Sequence, residues 1–174
     1  MSNFCVHSWP KAIAHIDADA FFVACERALN PSLNGKCVAV GKERGIITAL
    51  SYEAKAKGVK RGMRSFEAKK ICPGLIVIES DYEAYSLFSL RMFNIIKNFS
   101  PQVEEYSIDE AFVDLSGLRR VFSCSYEEIA KKMQIAIEKE LFITVSIGVS
   151  ITKTLAKIAS KDLMPRFTPF ALAS

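Results

Sequence analysis

The chain has 174 residues, of which 50% are hydrophobic and 24% charged; this fits one domain, or one domain with a small inserted module, and excludes intrinsic disorder. The formal net charge is only +4, the five cysteines (Cys5, Cys25, Cys37, Cys72, Cys124) contain no C-x-x-C pair, and there are two histidines, His7 and His15. This argues against a disulfide framework, a structural zinc site or a His-rich metal centre, and suits a reducing compartment. No apolar run reaches bilayer-spanning length, and MSNFCVHSWPKAIAH lacks the basic start and apolar core of a signal peptide, so no membrane association is expected.

Residues 12 to 17, AIAHID, read as a buried strand presenting Asp17 at its C-terminal end. Ala18 to Leu29 reads as a helix closed by Asn30-Pro31. Short strands are expected at 37–40 (CVAV) and 46–50 (IITAL) around the turn-like GKERG. Tyr52 to Lys57 follows as a helix ended by Gly58, and Ser65 to Ile71 as a second, capped by Ser65 and stopped by Pro73-Gly74. Residues 75–79 (LIVIE) are strand-like. Asp81 to Asn98 is the first long helix, with Tyr85, Phe88, Met92 and Ile95/Ile96 on one face.

Residues 103–115 read as two strands or a hairpin around Ile108-Asp109-Glu110. Ser125 with Glu128 makes a capping box for a helix through Glu140, whose inner face carries Ile129, Met133 and Ile137. Residues 142–149 alternate, so a strand with one buried face (Ile143, Val145, Ile147, Val149) is expected, then a helix from Thr152 to Lys161. With residues 30–80 set aside, the order is βαββαβ. The expected fold is α/β (α+β): a ferredoxin-like sheet backed by helices, with residues 30–80 as a small inserted α/β module.

Asp17 at the end of one strand and Asp109-Glu110 in the neighbouring hairpin would be spatial neighbours in this arrangement. Three carboxylates resist burial unless a cation holds them, and oxygen ligands favour two Mg2+ ions, with Mn2+ as an alternative. Asp19, on the same side of an extended strand as Asp17, is a candidate further ligand or orienting group. Acids at strand ends are also ordinary surface residues, and nucleotide cyclases with ferredoxin-like catalytic domains would satisfy the same pattern. From Lys55 to Lys70, seven basic residues (Lys55, Lys57, Lys60, Arg61, Arg64, Lys69, Lys70) face one acid, Glu67. Alone, that run reads as a solvated face; with a second feature beside it, it reads as a phosphate-binding surface.

Five stretches appear in one order along the chain: HIDADAFFVACE (15–26), ITALSYEAKAKGVKRGM (47–63), EAKKICP (67–73), YSIDEAFVDLSG (106–117) and SIGVSITKTLAKIASK (146–161). Together they resemble the catalytic core of the Y-family, translesion DNA polymerases, in particular the polymerase IV-like branch. The resemblance implies a palm in two segments (1–29 and 81–164), fingers at 30–80 and an atypical tail at 165–174, with thumb and little finger absent. It implies template-directed addition of deoxynucleotides to a primer 3′ end by two-metal nucleotidyl transfer. The alternative is a truncated, catalytically weak or inactive DNA- or protein-binding module.

By the same resemblance Asp17, Asp109 and Glu110 are the catalytic carboxylates and metal ligands, joined by the backbone carbonyl of Ala18. Phe22 matches the steric gate against a ribose 2′-hydroxyl, with Phe21 beside it and directed to the core. Tyr52, Lys55, Lys157 and Lys161 are implied nucleotide-binding residues; Lys157 either approaches phosphate or supports the site. Asp19 and Ser107 are supporting residues. Lys55 stands where the family usually carries arginine, which keeps the charge but loses the bidentate fork. Small residues at Ala49 and Ser51 are expected to leave the templating site open. Met164, Pro165 and Arg166 depart from the family's lysine-containing turn, so that either Lys161 or Arg166 substitutes or the contact is missing. The implied partners are primer-template DNA and deoxynucleoside triphosphates, with a sliding clamp only for a full-length form. The implied location is cytoplasmic or nucleoid-associated in a bacterium and nuclear in a eukaryote.

Overall fold

The computed structural model describes residues 11–162. Strand β1 (Ile13–Ala18) is buried almost throughout, as its apolar run requires. It ends at a left-handed Ala20, φ 47°, which breaks the extended chain and starts helix α1 (Phe21–Leu29). The helix therefore begins three residues later than expected. Asp19 sits in that turn, its N–H donating to the Thr144 carbonyl at 3.0 Å, and not on an extended strand in line with Asp17.

A 3-10 turn (Pro31–Leu33) leads to β2 (Val38–Gly41), β3 (Ile47–Leu50), α2 (Tyr52–Ala56), α3 (Ser65–Ile71) and β4 (Ile76–Ile78). The three strands form a sheet in the order β3-β2-β4, antiparallel between β2 and β3 and parallel between β2 and β4. Ala39, Ile47, Ala54, Val59, Ala68 and Leu75 make up much of its core. Gly58, at φ 93°, supplies the left-handed residue just past α2. Ser51 caps α2: its Oγ accepts from the Ala54 N–H at 3.2 Å and from the Val38 N–H at 3.1 Å, tying the helix to the sheet. Ser51→Ala leaves both buried donors unpaired and is expected to cost about 2 kcal/mol, read by urea unfolding. Ser65 does not cap α3. Arg64 holds that position and its N–H meets Glu67, while the Ser65 hydroxyl donates to the Lys42 carbonyl at 2.6 Å.

Helix α4 (Tyr82–Lys97) is followed by β5 (Val103–Ser107) and β6 (Glu110–Asp114), the expected hairpin. Its Tyr85, Met92 and Ile96 are fully buried, while Phe88 is half-buried. A short helix, α5 (Leu118–Phe122), was not anticipated: none of its residues is buried, so it carries no apolar stripe to read. Then come α6 (Tyr126–Leu141), β7 (Val145–Ser150) and α7 (Lys153–Asp162). The capping box of α6 is present, with Ser125 Oγ accepting from the Glu128 N–H and Glu128 accepting from the Ser125 N–H. Ile129, Met133 and Ile137 are fully buried.

The strands pair in the order β5-β6-β1-β7, the strand order of a ferredoxin-like sheet. The expectation of one buried face on β7 is corrected, since all six of its residues are buried. The small residues between its apolar ones admit α7: a Cβ on Gly148 would lie 2.3 Å from both the Ala156 carbonyl oxygen and the Ser160 amide nitrogen. Among the described residues the chain divides into two units, 11–17 with 93–139 and 145–162, and 18–92 with 140–144.

Candidate active site

In the first unit, β1 and β6 run antiparallel with Asp17 opposite Glu110 and His15 opposite Phe112. Residues two apart on a strand share a face, so His15 and Asp17 point the same way, toward the partner of Asp17 on β6. Ligand atoms of His15, Asp17 and Glu110 lie within 4.8 Å of one another. Glu110 is held by two donors on one oxygen: Lys157 Nζ meets Oε1 at 2.5 Å and His15 Nε2 meets it at 2.7 Å. Burial pushes the Glu110 carboxyl up, but the hydrogen bonds from Lys157 and His15 outweigh it and leave the group below its ordinary range. Burial lowers His15, and the pull of Glu110 does not restore it. The hydrogen bond to Glu110 raises Lys157.

Asp109 lies in the turn between β5 and β6, outside that three-residue grouping. Its Oδ1 accepts from the Ser107 hydroxyl at 2.7 Å, so Ser107 orients it within the turn. Lys157 also stands 4.5 Å above the Tyr106 ring, a cation–π contact that fixes its stem. Lys161, in the last turn of α7, is exposed. His15 and Ser160 were not singled out as site residues by sequence reasoning. The signal was the two-residue spacing of His15 and Asp17 on one strand face, which a count of histidines ignores.

In the second unit, Ala18 is buried at the end of β1 and Phe21 is buried at the start of α1. Phe22 is half-buried; its ring stacks on Tyr85 (4.6 Å between centroids, 18° between planes) and meets the edge of Tyr82. Tyr85 donates its hydroxyl to Glu26 Oε1 at 2.6 Å, and burial with that contact keeps the phenol well above its usual range. Tyr52 opens α2, half-buried, and Lys55 is exposed on the same helix. In the basic run Lys69 pairs with Glu43 at 2.7 Å and Lys70 lies over the Phe66 ring, while Lys55, Lys57, Lys60, Arg61 and Arg64 are exposed. Ala49 and Ser51 are both buried, and the Ser51 hydroxyl is taken up by the α2 cap. Met164, Pro165, Arg166 and the tail 165–174 lie outside the described residues.

The donor set suits a hard divalent cation. Asp17 and Glu110 offer carboxylate oxygens side by side, with Asp109 in the adjoining turn, and oxygen donors of this kind favour Mg2+ or Mn2+ over softer metals. Lys157 and His15 fall on the same oxygen of Glu110, an arrangement that fixes a carboxylate and leaves it able to bind through its other atom.

Residues 16–161 match the family model described as the impB/mucB/samB family. The chain is 44% identical over 155 residues to DNA polymerase IV of Opitutus terrae, covering 88% of this chain and 40% of that protein. It is 42% identical over 159 residues to DNA polymerase IV 1 of Bacillus subtilis, covering 89% of this chain and 38% of that one. Among solved structures, an insertion ternary complex of Dbh DNA polymerase superposes with a TM-score of 0.80 at 32% identity, covering 88% of this chain and 46% of that one. DinB from Sulfolobus solfataricus gives a TM-score of 0.78 at 32% identity, covering 87% and 45%. This chain spans about two fifths of the curated relatives it matches. It belongs to the impB/mucB/samB family, that of the Y-family DNA polymerases, and has their palm and fingers fold.

Proposed function

We propose that this chain is the nucleotidyl-transfer core of a template-directed DNA polymerase of the translesion type, extending a primer 3′ end with deoxynucleotides. The observation that carries this is the β1–β6 ladder, which sets Asp17 opposite Glu110, the latter ionised and clamped by Lys157. Asp17, Glu110 and Asp109, with the Ala18 carbonyl, are the proposed ligands of two Mg2+ ions. When bound, such ions supply activation of the primer hydroxyl and stabilisation of charge on the transferred phosphoryl group. Lys157 keeps Glu110 ionised and aimed, and Ser107 orients Asp109. Tyr52, Lys55 and Lys161 are proposed contacts to the triphosphate, and the exposed cations from Lys57 to Arg64 to nucleic-acid phosphate.

Phe22 is the proposed sugar gate. Its stacking on Tyr85 leaves the ring little freedom to swing away from a 2′-hydroxyl. Phe22→Ala is expected to relax exclusion of ribonucleotides by roughly 10- to 100-fold, measured as the ratio of kcat/KM for deoxy- and ribonucleotides. An unchanged ratio would remove the gate assignment.

The test of the whole reading is extension of a labelled primer-template with Mg2+ or Mn2+. Extension that disappears with Asp17→Asn supports a polymerase core. A second reading, a DNA-binding module of low turnover, is favoured by one observation: Asp109 is engaged with Ser107 and outside the grouping of Asp17, Glu110 and His15. DNA binding without extension would select it. A sliding clamp is proposed as partner only for a longer form. Among the described residues no helix is long and apolar enough to cross a membrane.

A further inference from the structure

His15 is fully buried, and both ring nitrogens are engaged: Nε2 with Glu110 Oε1 at 2.7 Å and Nδ1 with Ser160 Oγ at 2.6 Å. An ionised carboxylate can only accept, so the contact to Glu110 requires a proton on Nε2 whether the ring is charged or neutral. With the ring neutral, Nδ1 accepts the single Ser160 hydroxyl proton in place of the Lys157 carbonyl, which lies 3.0 Å from Ser160 Oγ; with the ring charged, Nδ1 donates to Ser160 Oγ and the hydroxyl donates to that carbonyl. The Phe112 ring, 4.7 Å away between centroids, packs on the imidazole and limits its tilt. Ser160 lies three residues after Lys157 on α7, one turn along the same face. Helix α7 thus reaches Glu110 Oε1 twice, directly through the Lys157 ammonium and indirectly through Ser160 and His15.

We propose that His15, backed by Ser160, is a positioning residue that turns Glu110 so that Oε2 meets a divalent cation, and is not itself a ligand. The inference rests on the metal-centre reading above. A histidine used as a ligand would have to give up its Nε2 proton and its bond to Glu110, leaving a buried carboxylate with one donor fewer. Used as a holder, it performs the role that outer hydrogen-bond partners of metal ligands perform, fixing orientation without touching the ion.

The experiment is a calorimetric titration of the full chain with Mn2+, together with 15N spectra of the imidazole rings, of which the chain has two. Removing the donor with His15→Leu is expected to weaken Mn2+ binding roughly 10- to 100-fold, the range seen for outer-shell partners. His15→Gln places an amide N–H near the position of Nε2 and should stay within about 3-fold of the parent. His15→Leu binding as tightly as the parent, or His15→Gln binding as weakly as His15→Leu, would overturn the proposal. A 14N coupling in the Mn2+ electron spin-echo spectrum would also overturn it, by making His15 a ligand. If His15→Leu fails to fold, Ser160→Ala decides: weaker Mn2+ binding supports the relay, and unchanged binding sinks it. A parent binding Mn2+ no better than Asp17→Asn would instead defeat the metal-centre reading. The ring spectrum then stands alone: a proton on Nε2 supports the hold on Glu110, and a ring protonated only at Nδ1 refutes it.

Discussion

Glu110→Gln is expected to lower metal-dependent primer extension on the order of 100-fold or more, the scale on which single charge contacts at a reacting centre are felt. Glutamine keeps the shape and can still accept from Lys157 and His15, but it removes the negative charge that a cation and the Lys157 ammonium both require. Loss of two charge-assisted hydrogen bonds in a half-buried setting should also cost about 2 kcal/mol of folding stability. That second effect has a defined pH dependence. Because the Glu110 carboxyl lies below its unfolded value in the folded chain, its stabilisation is complete above the ordinary carboxylate range and is lost as pH falls through the depressed value. The stability gap between parent and variant should therefore close on acidification, checked by urea unfolding at a series of pH values. A gap that persisted in acid would mean that shape, not charge, sets the cost.

Gly148→Ala is expected to have the largest effect on stability of any single methyl addition considered. The new Cβ would meet the backbone of Ala156, Ala159 and Ser160 at 2.3 to 2.9 Å, and none of these atoms can rotate aside. Helix α7 would have to lift from β7, at about 3 kcal/mol or more, the upper end of overpacking costs. At this chain length that corresponds to a fall in Tm of roughly 10 °C. Extension activity should fall with it, since Lys157 and Ser160 both ride on α7. Gly74→Ala is the control: nothing lies within 4 Å of its Cβ position, so thermal unfolding should be nearly unchanged.

The βαββαβ order and the adjacency of β1 to the 103–115 hairpin were legible, because AIAHID ends in an acid and the hairpin carries Asp109-Glu110 around its turn. Less legible was the second face of β7. Ser146 and Gly148 read as solvent-facing by polarity, whereas their small size is what lets a helix backbone approach. The three carboxylates also looked equivalent in sequence. The register separates them, placing Glu110 on the ladder opposite Asp17 and leaving Asp109 in the turn with Ser107. His15 was passed over because its role depends on Ser160, a hydroxyl at a helical position that no local pattern marks.

The contacts that build this centre are long in sequence: 95 residues separate His15 from Glu110, and 145 separate it from Ser160. Loops of that size close slowly, whereas the β2–β3 hairpin and the α2 cap involve near neighbours and form early. In refolding, the capacity to bind a divalent cation should consequently emerge with the slowest phase, after most helical signal has returned.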